Sequence, residues 1–312
     1  MSILITGGTG FIGSNLARAL VKEGKEVILF DIRPNMERIA DIKDKVEFVE
    51  GDLALWQSVI EPVKKYGVKE IFHLGAYLSA HSEKRPLEVF NTNFLGTLNV
   101  LEAARIFDVE KVTYSSSIAS FGPGLPQPVP NDARQEPRTV YGISKVFSEL
   151  YGLYYYHRYG LDFKALRLPS VVGPGRNGGG ASAYSTLIIQ RAAEGRPYKI
   201  EVDEDTRMPI IYYLDAVRAL ITAHYAEEAK TRLYNLAGLS PTAKEIVDTV
   251  KEFIPDAQLT FEPKPEIVEI VKSWPQMIDD RVAREELGWR LSYPLRELVK
   301  DFIEKVRSKP TS

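Results

Sequence analysis

Tyr141-Gly142-Ile143-Ser144-Lys145 sets a phenol and an ammonium four residues apart, and therefore on one face of a helix. A positive charge beside a phenol favours the phenolate and lowers a pKa that is ~10 when unperturbed, which makes Tyr141 a usable base. The pattern alone is common, so its weight comes from where it lies. Upstream stands Ser115-Ser116-Ser117, at the end of an apolar run, where a hydroxyl can hold the oxygen whose proton Tyr141 removes. Withdrawing a hydride from an alcohol carbon needs such a base, such a hydroxyl donor and an oxidised nicotinamide.

A place for that nicotinamide stands at the start of the chain. Thr6-Gly7-Gly8-Thr9-Gly10-Phe11-Ile12-Gly13 lies between the apolar run Ile3-Leu4-Ile5 and a helix-like stretch from Ser14. Gly8, Gly10 and Gly13 give the spacing that turns the chain tightly, brings bare backbone against a pyrophosphate and aims helix amides at it. Asp31 ends the next apolar run, where an acid accepts from the adenosine ribose and repels a 2′-phosphate, which predicts NAD rather than NADP; Arg33 lies close by.

The elements that must position these groups follow from pattern. Candidate strands at Ile3–Thr6, Val27–Asp31, Val46–Glu50, Glu70–Leu74, Lys111–Ser115 and Phe163–Leu168 alternate with helical stretches at 13–23, near 58–66, 90–107 and 141–159. The alternation predicts an α/β fold, a Rossmann-like doubly wound parallel sheet. Residues 1–168 form the expected dinucleotide-binding domain, rejoined by 210–237, with 169–312 mainly a smaller C-terminal α/β substrate lobe. Past Leu168 the texture turns to loops around Pro169, Gly173-Pro174-Gly175 and Gly178-Gly179-Gly180, the last a candidate lid hinge. Leu214–Leu220 reads as a helix opened by an acidic cap at Asp215, and Leu233–Leu236 as a strand. Stretches 242–253, 280–287 and 295–306 read as amphipathic helices.

The 312 residues carry a net charge of −2, with 44% hydrophobic and 26% charged residues, which gives no basic footprint for nucleic acid. There is no Cys, hence no disulfide or thiolate chemistry, and His73, His81, His157 and His224 lack metal-ligand spacing. They are expected as surface or hydrogen-bonded core residues, with no metal site. No apolar run approaches the ~18 residues a membrane span requires, and the first strand starts too early for a targeting segment, so a cytoplasmic enzyme is expected. Tyr151, Tyr154, Tyr155, Tyr156 and Tyr159 exceed what one helix face can bury in a monomer, which points to a partner chain.

With Thr6–Gly13, Asp31, Gly51-Asp52-Leu53, His73-Leu74-Gly75-Ala76, Asn93, the triple serine and Tyr141 with Lys145, the chain resembles the extended short-chain dehydrogenase/reductase (NAD-dependent epimerase/dehydratase) family, from Ser2 to about Val306. The resemblance implies that Ser117, Tyr141 and Lys145 are catalytic. It implies NAD binding by Gly7, Gly10, Phe11, Ile12 and Gly13, by Asp31, Ile32 and Arg33, by Asp52 and Leu53, by Leu74, Gly75, Ala76 and Asn93, and by Ser115, Tyr141, Lys145 and Leu168. It further implies a homodimer through helices 90–107 and 141–159.

Outside the cofactor half, Leu78-Ser79-Ala80, Ser117–Pro123, Gly178–Tyr184, Asp205–Pro209 and Ser273–Asp280 are similar to the short-chain type of L-threonine 3-dehydrogenase. That likeness implies oxidation of a small hydroxy or amino acid, L-threonine to 2-amino-3-oxobutanoate, with Ser79, Ser117, Tyr141, Gly180, Ala181, Arg207 and Trp274 at the substrate. Arg176 is a further candidate for a carboxylate or phosphate. The subfamily reads G-G-G-T-T-D-Y where this chain reads Gly178-Gly179-Gly180-Ala181-Ser182-Ala183-Tyr184, losing a hydroxyl and a carboxylate. A substrate ammonium would miss that acid, which leaves room for an uncharged or purely anionic substrate. The competing enzymatic reading is a nucleotide-sugar 4-epimerase, which returns the hydride. A dinucleotide sensor without chemistry is the third, and the intact Ser117, Tyr141 and Lys145 speak against it.

Overall fold

The computed structural model describes residues 2–176 and 180–308. The apolar runs become strands β1 (Ser2–Thr6), β2 (Glu26–Asp31), β3 (Val46–Glu50), β4 (Glu70–His73), β5 (Lys111–Ser117) and β6 (Asp162–Leu168), close to their expected bounds. Between them lie helices α1 (Phe11–Lys22), α2 (Trp56–Lys65), the short α3 (Ser79–Lys84) and α4 (Pro86–Val89), α5 (Gly96–Ile106) and the long α6 (Val140–Tyr159). Beyond Leu168 follow β7 (Ser170–Val172), α7 (Tyr184–Ala193), β8 (Tyr198–Ile200), β9 (Ile210–Tyr212), α8 (Tyr213–His224) and β10 (Leu233–Asn235). The chain continues through α9 (Ala243–Phe253), β11 (Leu259–Phe261), α10 (Pro265–Lys272), α11 (Arg281–Glu286) and α12 (Leu295–Arg307).

Seven parallel strands form the main sheet in the order β10-β6-β5-β4-β1-β2-β3. Strand order reverses between β1 and β4, which opens a crevice beyond their carboxyl ends where ligands of such sheets bind. Side-chain alternation along β1 builds the layers. Ile3 and Ile5 join the core made with Leu16 and Leu20 of α1 and Ala216 and Leu220 of α8. Leu4 joins the other, with Val59 and Val63 of α2 and Val100, Leu101 and Ala104 of α5. Each fully buried Val, Leu or Ile among them contributes roughly 1.5–3 kcal/mol.

The first of these cores runs on without a break into Tyr184, Ile188, Ile246, Trp289 and Phe302, so the C-terminal lobe is packed onto the sheet. Two parallel strand pairs, β8 with β11 and β7 with β9, complete it. Strands this short carry no legible periodicity, and α7 and α10 are amphipathic segments that pattern alone did not pick out.

Two expectations need correction. Stretch 90–107 is not one uniform helix: Phe90–Leu95 is a π-helical turn that places Asn93 inward before α5 begins. Asp215 does not cap α8, whose first residue follows Tyr212 with no side-chain cap. Its buried carboxylate instead accepts from the amides of Ser292 and Tyr293 at 3.0–3.2 Å and from Arg218 at 2.7 Å, pinning the loop before α12 to α8.

Candidate active site

The glycine loop departs from β1 through Gly7, whose φ of 65° suits a residue without a Cβ. A Cβ on Gly13 would lie 2.2 Å from the Gly7 carbonyl, so only glycine lets α1 begin this close to the turn. Helix α1 has no side-chain cap and no acid in its first turn, and its opening amides, at Phe11, Ile12 and Gly13, have no acceptor within the helix. Bare amides and a positive helix end make a donor set suited to a pyrophosphate. From β2, Asp31 reaches back to the loop and accepts from the Thr9 amide (3.1 Å) and hydroxyl (2.7 Å).

A cleft of about 530 Å³ runs from this loop across the sheet crevice into the C-terminal lobe. It is lined by Gly7, Gly10, Phe11, Ile12, Gly13, Asp31, Ile32, Asp52, Leu53, Leu74, Gly75, Ala76, Ser115, Tyr141, Lys145 and Leu168 from the expected cofactor set, and by Ser79, Ser117, Arg176, Ser182 and Trp274 farther on. The crevice loops are held from below. Thr6 Oγ1 accepts from the amides of Leu74 and Gly75 at 3.1 Å, and the Leu53 carbonyl accepts from Asn99 at 2.8 Å.

Five expected residues lie off the cleft wall. Arg33 is exposed beyond β2, and the cation that lines the cleft on that side is Arg38, which sequence reasoning missed; its Nη2 donates to the Gly175 carbonyl at 2.9 Å. Asn93 is buried behind the wall, where it brackets Tyr77 (2.8 and 3.1 Å) and donates to Ser144 on α6 (3.2 Å). Gly180, with φ 79°, and Ala181 open the turn before α7 without reaching the cleft. Arg207 turns toward the start of α9, donating to the Ser240 carbonyl with Glu245 at 3.8 Å. Gly178 and Gly179 of the candidate hinge lie outside the described residues.

The chemical groups meet at the tip of β5. Ser117 accepts from the Ala119 amide at 3.2 Å and is hydrogen-bonded to Tyr141, which sits in the first turn of α6 behind the Thr139 cap. Lys145, one turn on, is buried and donates to the Ser115 carbonyl at 2.7 Å, its ammonium 4.6 Å from the Tyr114 ring centre and 5.3 Å from that of Tyr141.

Burial pushes the Tyr141 phenol up to about 12, while the Ser117 hydrogen bond and the Arg176 charge pull it back. This corrects the expectation of a phenol already lowered by Lys145. The lysine is itself desolvated, its ammonium pushed down to about 7 and only partly restored by Glu149. Arg176, also lowered to about 10 by burial, is held among the described residues by neutral oxygens: Ser170 Oγ (2.9 Å), the Val171 carbonyl (2.7 Å), Ser182 Oγ (3.2 Å) and Thr186 Oγ1 (3.4 Å). The acids lining the cleft, Asp31 and Asp52, both stand at the glycine-loop side; the far end holds none among the described residues.

Two of the four histidines, His73 and His224, are buried in hydrogen-bonded positions. His73 is buried between Thr6 (2.7 Å) and Thr97 (3.0 Å), and burial pushes it down to about 3. His224 is bonded to Thr113 at 2.7 Å, with Glu70 at 3.3 Å.

Residues 3–237 match the model of the NAD dependent epimerase/dehydratase family. The chain is 36% identical over 303 residues to the mitochondrial L-threonine 3-dehydrogenase of Bos taurus, across 95% of this chain and 80% of that one. Its fold overlays the holo L-threonine dehydrogenase from Cupriavidus necator with a TM-score of 0.91 at 35% identity, over 98% of this chain and 100% of that one. The UDP-glucose 4-epimerase from Thermotoga maritima, solved with UDP-glucose, gives 0.89 at 27% identity, over 98% and 99%.

Proposed function

Because the chain belongs to the NAD-dependent epimerase/dehydratase family, and is thus an NAD-dependent enzyme, we propose that it oxidises the secondary alcohol of a small hydroxy or amino acid, with L-threonine to 2-amino-3-oxobutanoate as the leading reaction. The observation that carries this is the convergence of Ser117, Tyr141 and Lys145 on one cleft that begins at the bare amides of α1. The donor set fits NAD, with Gly10–Gly13 at the pyrophosphate, Asp31 at the adenosine ribose and Lys145 at the nicotinamide ribose. Bound there, NAD accepts the hydride.

The residues of the chain do the rest. Ser117 holds the substrate oxygen and Tyr141 takes its proton, an exchange the Arg176 charge favours by stabilising the phenolate. Arg176, bound to neutral oxygens among the described residues beside Tyr141, and Ser79 offer donors to a substrate carboxylate, and Trp274 closes the apolar side.

A second reading, a nucleotide-sugar 4-epimerase, draws support from the overlay on the T. maritima enzyme. The two differ in net redox. With NAD and a panel of L-threonine, 3-hydroxy acids and UDP-sugars, steady accumulation of reduced nicotinamide supports the dehydrogenase. Isomerised sugar without accumulation overturns it.

The exposed apolar side chains of helices 90–106 and α6, among them Phe90 (55% exposed), Leu150 (57%) and Tyr154 (52%), support a homodimer across that face. No helix among the described residues is long and apolar enough to cross a membrane, and the absence of Cys fits the cytoplasm as the working compartment.

A further inference from the structure

One helical turn behind Lys145 sits a second buried charge that the chemistry above does not use. Glu149 on α6 is fully buried and takes donors from three other segments. Its carboxylate accepts from the Ser116 hydroxyl on β5 and from Arg167 on β6, Nη2 at 2.8 Å and Nε at 3.1 Å. Gln135 adds a bond of 2.8 Å. Arg167 is buried too, donating onward to the Asn131 carbonyl (2.8 Å) and Asn235 (3.3 Å).

A buried ion pair is a poor source of stability, since desolvating two charges offsets most of their attraction. Its location suggests another use. Ser116 lies between Ser115, whose carbonyl holds Lys145, and Ser117, which bonds Tyr141. Arg167 is the register partner of Ser116 on the neighbouring strand. Lys145 and Glu149 are four residues apart and share a helix face, so the tip of β5 is gripped twice from α6.

We propose that Glu149 is a positioning residue for the catalytic groups: bound to Ser116 and paired with Arg167, it locks α6 onto the tip of β5 and keeps the Lys145 ammonium in place. The titratable groups facing that ammonium are Tyr141 and Glu149 on α6, Tyr114 on β5 and His73 on β4. Burial holds Tyr114 up as a neutral phenol and His73 down as a neutral imidazole, which leaves Glu149 as the charge that supports Lys145.

The inference rests on the reading of Tyr141 and Lys145 as the working pair, and its test does not depend on which alcohol is the substrate. In cofactor-free protein, the Lys145 titration is followed by lysine-selective carbon NMR and assigned with Lys145→Arg. Glu149→Gln should lower its midpoint by about one pH unit or more and cut kcat by at least roughly tenfold, whereas Glu149→Asp, which keeps the charge, should hold the midpoint near wild type.

The double variant Glu149→Leu/Arg167→Leu removes the pair without leaving an orphan charge. It should fold, yet show the lowered midpoint and the lowered kcat. An unmoved midpoint in Glu149→Gln, or wild-type titration and turnover in the double variant, would overturn the proposal. Should the wild type oxidise no alcohol while Glu149→Gln still moves the midpoint, the dehydrogenase reading fails and the positioning role stands.

Discussion

Lys145 Nζ donates to the Ser115 carbonyl at 2.7 Å, so its ammonium is anchored to the strand end rather than to the phenol one turn earlier on its own helix. Tuning of Tyr141 therefore passes through Ser117 and Arg176, while burial holds the phenol near 12. A phenol held that high is mostly protonated at neutral pH, and its ionised fraction grows as pH rises.

From that follows a rate that climbs with pH, close to tenfold per unit, until the phenol is ionised in the working complex. Replacing Tyr141 with Phe should cut kcat by on the order of a hundred- to ten-thousand-fold while NAD binding persists. Steady-state pH profiles of the two proteins, with cofactor binding read by fluorescence, check both points. A flat wild-type profile would count against Tyr141 as the base.

The buried lysine makes a second, thermodynamic statement. Burial depresses its pKa from 10.5 to about 7 in the folded protein, so between these values the unfolded chain holds a proton the folded one has released. Stability of the cofactor-free protein from this group therefore rises with pH across that window; the penalty is full below about 7 and absent above 10.5. Lys145→Met should flatten the rise in Tm measured over the same range.

On the proposed reading cofactor choice depends on Asp31, which is tied to the glycine loop through Thr9. Its carboxylate disfavours a 2′-phosphate, while Arg38 lines the same part of the cleft. Catalytic efficiency with NAD should exceed that with NADP, and Asp31→Asn should narrow the gap by roughly tenfold or more by weakening NAD and leaving Arg38 free to meet the phosphate. Parallel kinetics with both cofactors decide it, and equal efficiencies in the wild type would refute the preference.

Across the exposed face of α6, light scattering coupled to gel filtration should give a mass twice that of one chain. Placing a carboxylate in that face, with Leu150→Glu or Tyr154→Glu, should return it to one, because a charge there cannot be desolvated without a partner. A wild-type monomer would remove the dimer from the account.

How much of this could be read from residues alone depends on the length of the pattern behind each feature. The glycine loop, the six long strands and α6 are specified locally, by spacing that a strand or helix imposes within a few turns. Asp215 read as a cap because its neighbours look like a helix start, yet its partners, Ser292 and Tyr293, lie far along the chain. The same distance hid Arg38, which meets the Gly175 carbonyl from another lobe, and misdirected Arg207, whose partners are Ser240, just before α9, and Glu245 in its first turn. Tyr141 and Lys145 were legible as a pair, but their electrostatics were not, since desolvation is a property of the packed interior that no spacing encodes.

The central claim is geometric, and a crystal structure of the protein with NAD and a non-reactive substrate analogue tests it most directly. The account predicts the nicotinamide ring against Ser117, Tyr141 and Lys145, with the pyrophosphate on the amides of Phe11 and Ile12. A ring bound elsewhere in the cleft, with those three side chains turned away from it, would contradict the proposed chemistry.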